Sequence, residues 1–156
     1  MSKLLRISNL KITLKDNLPF GRFLDSINFD INDQEIVALV GSSGGGKTSL
    51  GLSILRLLPP AMKVQEGEIL FQDKNLLELP LSAMRDIRGK EISMVFQESL
   101  SAFNPVFTVG DQIAEVLKVH LNFSRRKAKD RVFELLGLVE IEDHRRDAGY
   151  FRHQLS

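Results

Sequence analysis

The sequence predicts an α/β fold, and three observations carry the prediction. Apolar runs of strand length recur at 4–14, 26–31, 36–40, 64–71 and 90–96. The run at 36–40 breaks into a glycine-rich loop that opens directly into a helical pattern, the strand–loop–helix order of a phosphate site. From about residue 107 the apolar period becomes that of helices. An α/β body over 1–106 should therefore be followed by a helical segment over 107–156.

Bulk properties narrow the function classes. The 156 residues suffice for a domain with a core, and 43% hydrophobic with 26% charged residues argues against disorder. A net charge of +1 gives no global electrostatic case for nucleic acid. Zero cysteines exclude a disulfide framework and any thiolate metal site in these residues. No apolar run approaches the ~18 residues of a membrane span. The first residues, MSKLLRISNL, lack a signal peptide's hydrophobic stretch and cleavage site, so a cytoplasmic location is expected, with membrane contact only through a partner.

In chain order, 4–14 reads as one or two strands with Leu5, Ile7, Leu10, Ile12 and Leu14 as the apolar set. Residues 16–21 (DNLPFG) are loop, and Ile27, Phe29 and Ile31 alternate as a half-buried strand. Asn32, Asp33 and Gln34 turn the chain into the strand at 36–40. The next helix should run from Lys47 to about Leu58, striped by Leu50, Ile54, Leu57 and Leu58 and ended by Pro59 and Pro60. A strand lies within 64–71, with Gly67 at its start, and a short helix is expected over 80–88. KEISMVF (90–96) has the look of a buried parallel strand that delivers Gln97. Beyond the loop holding Asn104 and Pro105, Val109, Ile113, Val116 and Leu117 form one helical stripe. Ser124 reads as the N-cap of a second helix striped by Ala128, Val132, Leu135 and Leu136, with Gly137 as its stop.

The central stretch is EIVALVGSSGGGKTSLGL (35–52), and its spacing is G-x-x-x-x-G-K-[ST]. Gly41, Gly44, Gly45 and Gly46, with Ser42 and Ser43 between them, let the backbone fold around an anion. Without a Cβ, glycines reach positive φ and present successive N–H groups. The helix beginning here aims its unpaired N–H groups at the same anion, Lys47 reaches the outer phosphates, and Thr48 and Ser49 complete the motif, Thr48 offering a hydroxyl to Mg²⁺. An ordinary Gly/Ser loop would have to produce GK[ST] at this spacing, between a strand and a helix, by accident.

Other sequence features discriminate among phosphate-loop proteins. The loop reads G-x-S-G-x-G-K-T-S, and KEISMVF ends in Gln97 before a Pro-containing loop and a helical segment. That combination resembles the nucleotide-binding subunit of ABC transporters, with Gln97 at the Q-loop position. GEILFQDKNLLELP (67–80) and MRDIRGKEISMVFQESLSAFNPVFTVGDQI (84–113) are similar to the oligopeptide, dipeptide and nickel importer branch. The resemblance implies a P-loop NTPase fold: an antiparallel β subdomain, an incomplete RecA-like core, and the start of the helical subdomain. It implies ATP and Mg²⁺ as cofactors, with Gln97 contacting the metal or attacking water. It implies membrane-spanning permease subunits met through 97–109, a second ATP-binding subunit, an extracytoplasmic solute-binding protein engaged indirectly, and a peripheral place on the cytoplasmic face of the inner membrane. Nucleic acid is not among the implied partners.

Two departures qualify the resemblance. The family stacks an aromatic on adenine from the end of its second N-terminal strand, where this chain has Leu14. Phe20 and Phe23 are substitutes that serve equally well as packing residues. The chain also stops at RHQLS (152–156), with Leu155 and Ser156 the first two residues of the family's LSGGQ signature. Walker B, its glutamate and the switch histidine are not among these residues. Asp73 in EILFQD reads as a turn residue, not a Walker B aspartate. A truncated or separately completed chain that binds nucleotide without hydrolysing it is therefore expected.

The basic residues Arg125, Arg126, Lys127, Lys129 and Arg131 read as a solvated helix face, and His120, His144 and His153 lack metal-ligand spacing. The competing readings are a self-contained phosphate-loop kinase or NTPase and a non-catalytic nucleotide-binding remnant. The NKxD motif of a GTPase is absent.

Overall fold

The computed structural model describes residues 3–14, 22–97, 102–141, 143 and 147–154. The chain divides into two compact units, Met1–Arg88 and Gly89–Ser156.

The first unit is built on a four-stranded antiparallel sheet in the order β2-β1-β3-β4. Its strands are β1 (Lys3–Leu14), β2 (Arg22–Asn32), β3 (Met62–Phe71) and β4 (Lys74–Asn75). β1 is a single strand whose apolar phase shifts once. Leu5 and Ile7 are buried at odd positions and Leu10 and Ile12 at even ones, because Asn9 (φ 47°) forms a bulge between them. The bulge is stapled on one side by Asn28, whose Oδ1 accepts from the Asn9 N–H at 2.8 Å. On the other side stands Gly67 (φ 94°), in mid-strand and not at the start of β3. A Cβ there would lie 2.6 Å from Asn9 O, Ser8 O and Leu10 Cα. Glycine is required by both its φ and this close approach. β3 turns into β4 through Gln72 (φ 47°) and Asp73 (φ 63°), a pair of positive-φ residues as in a type I′ hairpin, so Asp73 is a turn residue as expected.

Helix α1 (Lys47–Ile54) is shorter than its sequence suggests and does not run to the prolines. Arg56 takes the left-handed position (φ 52°). Its N–H donates to Ser53 O and that of Leu57 to Leu52 O, the paired bonds of a Schellman motif. The Arg56 guanidinium is anchored on Leu76 O and Leu79 O, and Arg88 donates to Leu55 O (2.8 Å) and Arg56 O (3.2 Å). Arg88 thus satisfies carbonyls at the helix's negative end, while Arg56 ties that end to the segment between β4 and the next helix. The face α1 buries is Ser49, Leu50 and Ser53, while Leu57 is exposed. Helix α2 (Leu81–Ile87) follows, with Met84 buried.

The residues expected as parallel strands differ most from expectation. Residues 36–40 and 93–96 belong to no strand ladder among the described residues. Ile36 is 99% exposed and Val40 87%, while Val95 is 89% exposed. A buried parallel strand needs a hydrogen-bonded neighbour and cover on both faces, and no described segment lies beside these runs in a ladder.

The second unit pairs helix α3 (Val109–Leu121) with α4 (Arg125–Leu138). Thr108 caps α3, accepting from the Asp111 N–H, and Ser124 caps α4, accepting from that of Lys127. Leu117, Ala128, Val132, Leu136 and Ala148 form its core, with Ile113 and Leu135 packed against it. Val116, expected in the buried stripe, is half exposed. α3 ends at Asn122 in the left-handed region. α4 continues through Gly137, and Glu140 (φ 60°) takes the left-handed place. Glu140 N–H donates to Gly137 O and Ile141 N–H to Leu136 O.

Candidate phosphate-binding site

The loop 41–49 hangs from the irregular run 36–40 and ends in the first turn of α1. Two of its glycines take positive φ, Gly44 (77°) and Gly46 (84°), and between them the Gly45 N–H donates to Ser42 O at 3.1 Å. The chain thus curls tightly enough for the Lys47 side chain to fold back over it. Lys47 Nζ donates to Gly41 O (2.8 Å) and Ser42 O (2.7 Å). The ammonium is fixed over the mouth of the loop by two neutral acceptors, which leave its positive charge uncompensated.

Below it, Gly46 is the N-cap of α1, with no side-chain cap and no acidic residue in the first turn. Helices α3 and α4 have both of their N-termini closed by a hydroxyl. The open N–H groups, the helix dipole and the fixed ammonium converge on one place, and that arrangement suits a multiply charged phosphate. Ser42, Ser43 and Thr48 are exposed, whereas Ser49 is buried, its Oγ 3.7 Å from Met62 Sδ on β3. Of the hydroxyls at the helix start, Thr48 is therefore the one available to a metal ion, and Ser49 serves packing.

The sheet holds the loop from beneath. A Cβ built on Gly46 would meet Leu24 Cδ2 at 2.5 Å and Phe23 Cε1 at 3.4 Å, so the start of β2 abuts the helix cap. Phe23 is thus an aromatic beside the loop, half-buried, while Phe20 lies outside the described residues. Leu14 pairs with Met62 in the sheet. The Leu24 contact carries no signal in the sequence, since it joins residues 22 apart through the tertiary fold.

Gln97 is exposed, in the second unit. Farther along, Gln112 fixes the Pro105 turn. Its Oε1 accepts from Asn104 N–H at 2.8 Å, and its Nε2 donates to Asn104 O and Phe107 O, each at 3.1 Å. Val106 (70%) and Phe107 (53%) are left exposed on a stiffened turn. Residues 98–101 lie outside the described residues, as do His144, Leu155 and Ser156. Among the described residues no cluster of side chains forms a metal site, and no helix is long and apolar enough to cross a membrane.

The family profile described as ABC transporter matches residues 24–156. The chain belongs to the ABC transporter family. It is 43% identical over 136 residues to a probable peptide ABC transporter ATP-binding protein of Sinorhizobium fredii, covering 86% of this chain and 41% of that protein. It is 40% identical over 157 residues to a dipeptide transport ATP-binding protein of Bacillus subtilis, covering 100% of this chain and 47% of that one. A dimeric ATP-binding cassette solved in a post-hydrolysis state with ADP and Pi superposes with a TM-score of 0.80 at 26% identity, covering 97% of this chain and 63% of the cassette. The α/β fold of this ABC transporter-family chain is thus that of the N-terminal part of an ATP-binding cassette, and the chain spans under half the length of these two curated relatives.

Proposed function

We propose that the chain forms the nucleotide-binding part of the ATP-binding subunit of an ABC importer for peptides or related small solutes. The observation that carries the reading is the 41–49 loop, with an uncapped helix N-terminus below and an ammonium fixed over Gly41 and Ser42 above. The names of the relatives, peptide and dipeptide transport proteins, support the solute class. ATP phosphates sit in the loop of Gly41, Ser42, Ser43, Gly44, Gly45 and Gly46, and Lys47, Thr48 and, through its backbone N–H while its side chain packs on Met62, Ser49 complete the site. Mg²⁺, if bound, would be held by the Thr48 hydroxyl, and Gln97 would offer a carboxamide oxygen to the metal or the attacking water. The chain's own residues bind and orient the phosphates, and the metal would supply neutralisation of their charge.

In this reading residues 1–106 serve the ATP-binding core and 107–156 begin the helical subdomain. The partners are permease subunits and a second ATP-binding subunit at the cytoplasmic face of the membrane, with a solute-binding protein reached through the permease. The stiff Val106–Phe107 turn is the docking surface. Cysteines placed at 104 and 106 should crosslink to a co-expressed permease, and their silence in an assembled complex would assign these side chains another role.

A polypeptide of residues 1–156 alone binds nucleotide without turning it over. A missing group that stabilises transition-state charge removes on the order of 3 kcal/mol of barrier lowering, and several are missing. Calorimetry should show saturable Mg-ATP binding that Lys47→Ala abolishes, and phosphate release should stay at background. Equal affinity of folded wild type and Lys47→Ala would overturn the site. Steady turnover lost in that variant would overturn the binding-only reading.

A further inference from the structure

The basic run at the start of α4 is exposed at Arg125, Arg126, Lys127 and Lys129, as expected of a solvated face, but its members differ in what they touch. Lys127 Nζ sits 3.9 Å over the Phe123 ring, and Arg131 pairs with Glu134 at 2.7 Å. Arg125 and Lys129, one helical turn apart, instead line a cavity of about 410 Å³ between α3 and α4, and Lys118 of α3 joins them. Among the described residues neither Lys118 nor Arg125 has an ion-pair or hydrogen-bond partner.

Asp111, the one carboxylate among the described residues of the wall, already accepts the Thr108 hydroxyl at 2.8 Å. Three cations thus face one engaged anion, over a floor that includes buried Val132 and half-buried Phe133. The volume falls in the range of small-molecule sites, roughly 300–1,000 Å³. The three cations are exposed, and a ligand that binds them while covering the apolar floor gains charge-assisted hydrogen bonds and removes that floor from water.

We propose that this cavity is a second anion site, separate from the phosphate loop, which takes an organic anion with a doubly charged phosphoryl or dicarboxyl head on a compact apolar body. Arg125 and Lys118 clamp the head, Lys129 adds charge beside Phe133, and the body rests on Val132 and Phe133. The site stands on residues of the second unit alone, so it does not depend on the transport reading.

The probe is phenyl phosphate, titrated into the full chain and read by amide NMR shifts at Gly110 and Gly149, which line the cavity. Saturable shifts at both glycines are expected, with inorganic phosphate binding several-fold more weakly and benzyl alcohol not at all. Arg125→Gln with Lys129→Gln should weaken phenyl phosphate by about tenfold or more, the scale of one charge-assisted hydrogen bond. Arg126→Gln with Lys127→Gln removes the same charge from residues that do not line the cavity and should change affinity by less than about twofold, since without direct contact an exposed charge acts only through screened solvent. Lys47→Ala should leave the Gly110 and Gly149 shifts intact. Shifts confined to 41–49 and lost with Lys47→Ala would place the anion in the phosphate loop and overturn the proposal. Equal losses from the two double variants, or benzyl alcohol binding as well as phenyl phosphate, would also overturn it.

Discussion

Replacing Gly46 by alanine tests whether the sheet, and not the loop sequence alone, holds the phosphate loop in shape. The residue has φ 84°, where a side chain costs about 1–2 kcal/mol. The new Cβ would also lie 2.5 Å from Leu24 Cδ2, closer than real contacts allow. Leu24 Cδ2 is the far end of a flexible side chain, so relief takes an off-rotamer shift of about 0.5–1.5 kcal/mol and no backbone movement. Gly44 supplies the control. It has a similar φ of 77°, but a Cβ there would meet nothing within 4 Å.

Gly44→Ala should therefore cost about 1–2 kcal/mol and Gly46→Ala about 1 kcal/mol more. With a urea dependence of about 1–3 kcal/mol per molar, that difference moves the unfolding midpoint by about 0.3–1 M. In a Leu24→Ala background the extra cost should vanish, giving a coupling energy of about 1 kcal/mol in a double-mutant cycle. Additive losses, or equal costs at Gly44 and Gly46, would refute the idea that β2 braces the helix cap.

Gly67→Ala should be far more damaging, beyond about 3 kcal/mol, because its Cβ would strike three backbone atoms of β1 that cannot rotate away. Thermal unfolding followed by circular dichroism checks this, and a loss under about 1 kcal/mol would show that the bulge rearranges. The exposed apolar run at 36–40 should drive self-association of the isolated chain, since unpaired strand-length segments recruit others. Ile36→Lys with Val40→Lys should lower light scattering at equal concentration, and unchanged scattering would move the sticky surface elsewhere.

Much of the site is legible from residues alone. G-x-x-x-x-G-K-[ST] specifies the positive-φ glycines, the open helix start and the lysine because each is a local backbone or side-chain requirement of a few consecutive residues. The N-caps Thr108 and Ser124, and Asp73 as a turn, depend on interactions within three or four positions, and Ser124 and Asp73 are readable as such. Composition and spacing also separate the helical segment from the α/β body.

Helix ends were less legible. Glycine or asparagine is the usual left-handed residue after a helix, and Asn122 follows that rule, but Arg56 and Glu140 fill the place for α1 and α4. Arg56 is held there by carbonyls of residues 76 and 79, and Ile141 after Glu140 packs on the core of the second unit. Tertiary contacts thus outweigh the local preference. Equally, β1's phase shift needs Asn28 and Gly67 from the two neighbouring strands, and Leu24 meets Gly46 only because β2 runs beneath the loop.

The runs at 36–40 and 92–96 show the division most clearly. Their β-branched and apolar residues give each a strand's composition, which the amino-acid sequence determines by itself. Whether such a run becomes a strand is decided by the tertiary structure, because a strand's hydrogen bonds are made to another segment, and 36–40 has no ladder partner among the described residues. The phosphate loop needs no such partner: its bonds run from Gly45 to Ser42 and from Lys47 to Gly41 and Ser42, all within its own seven residues.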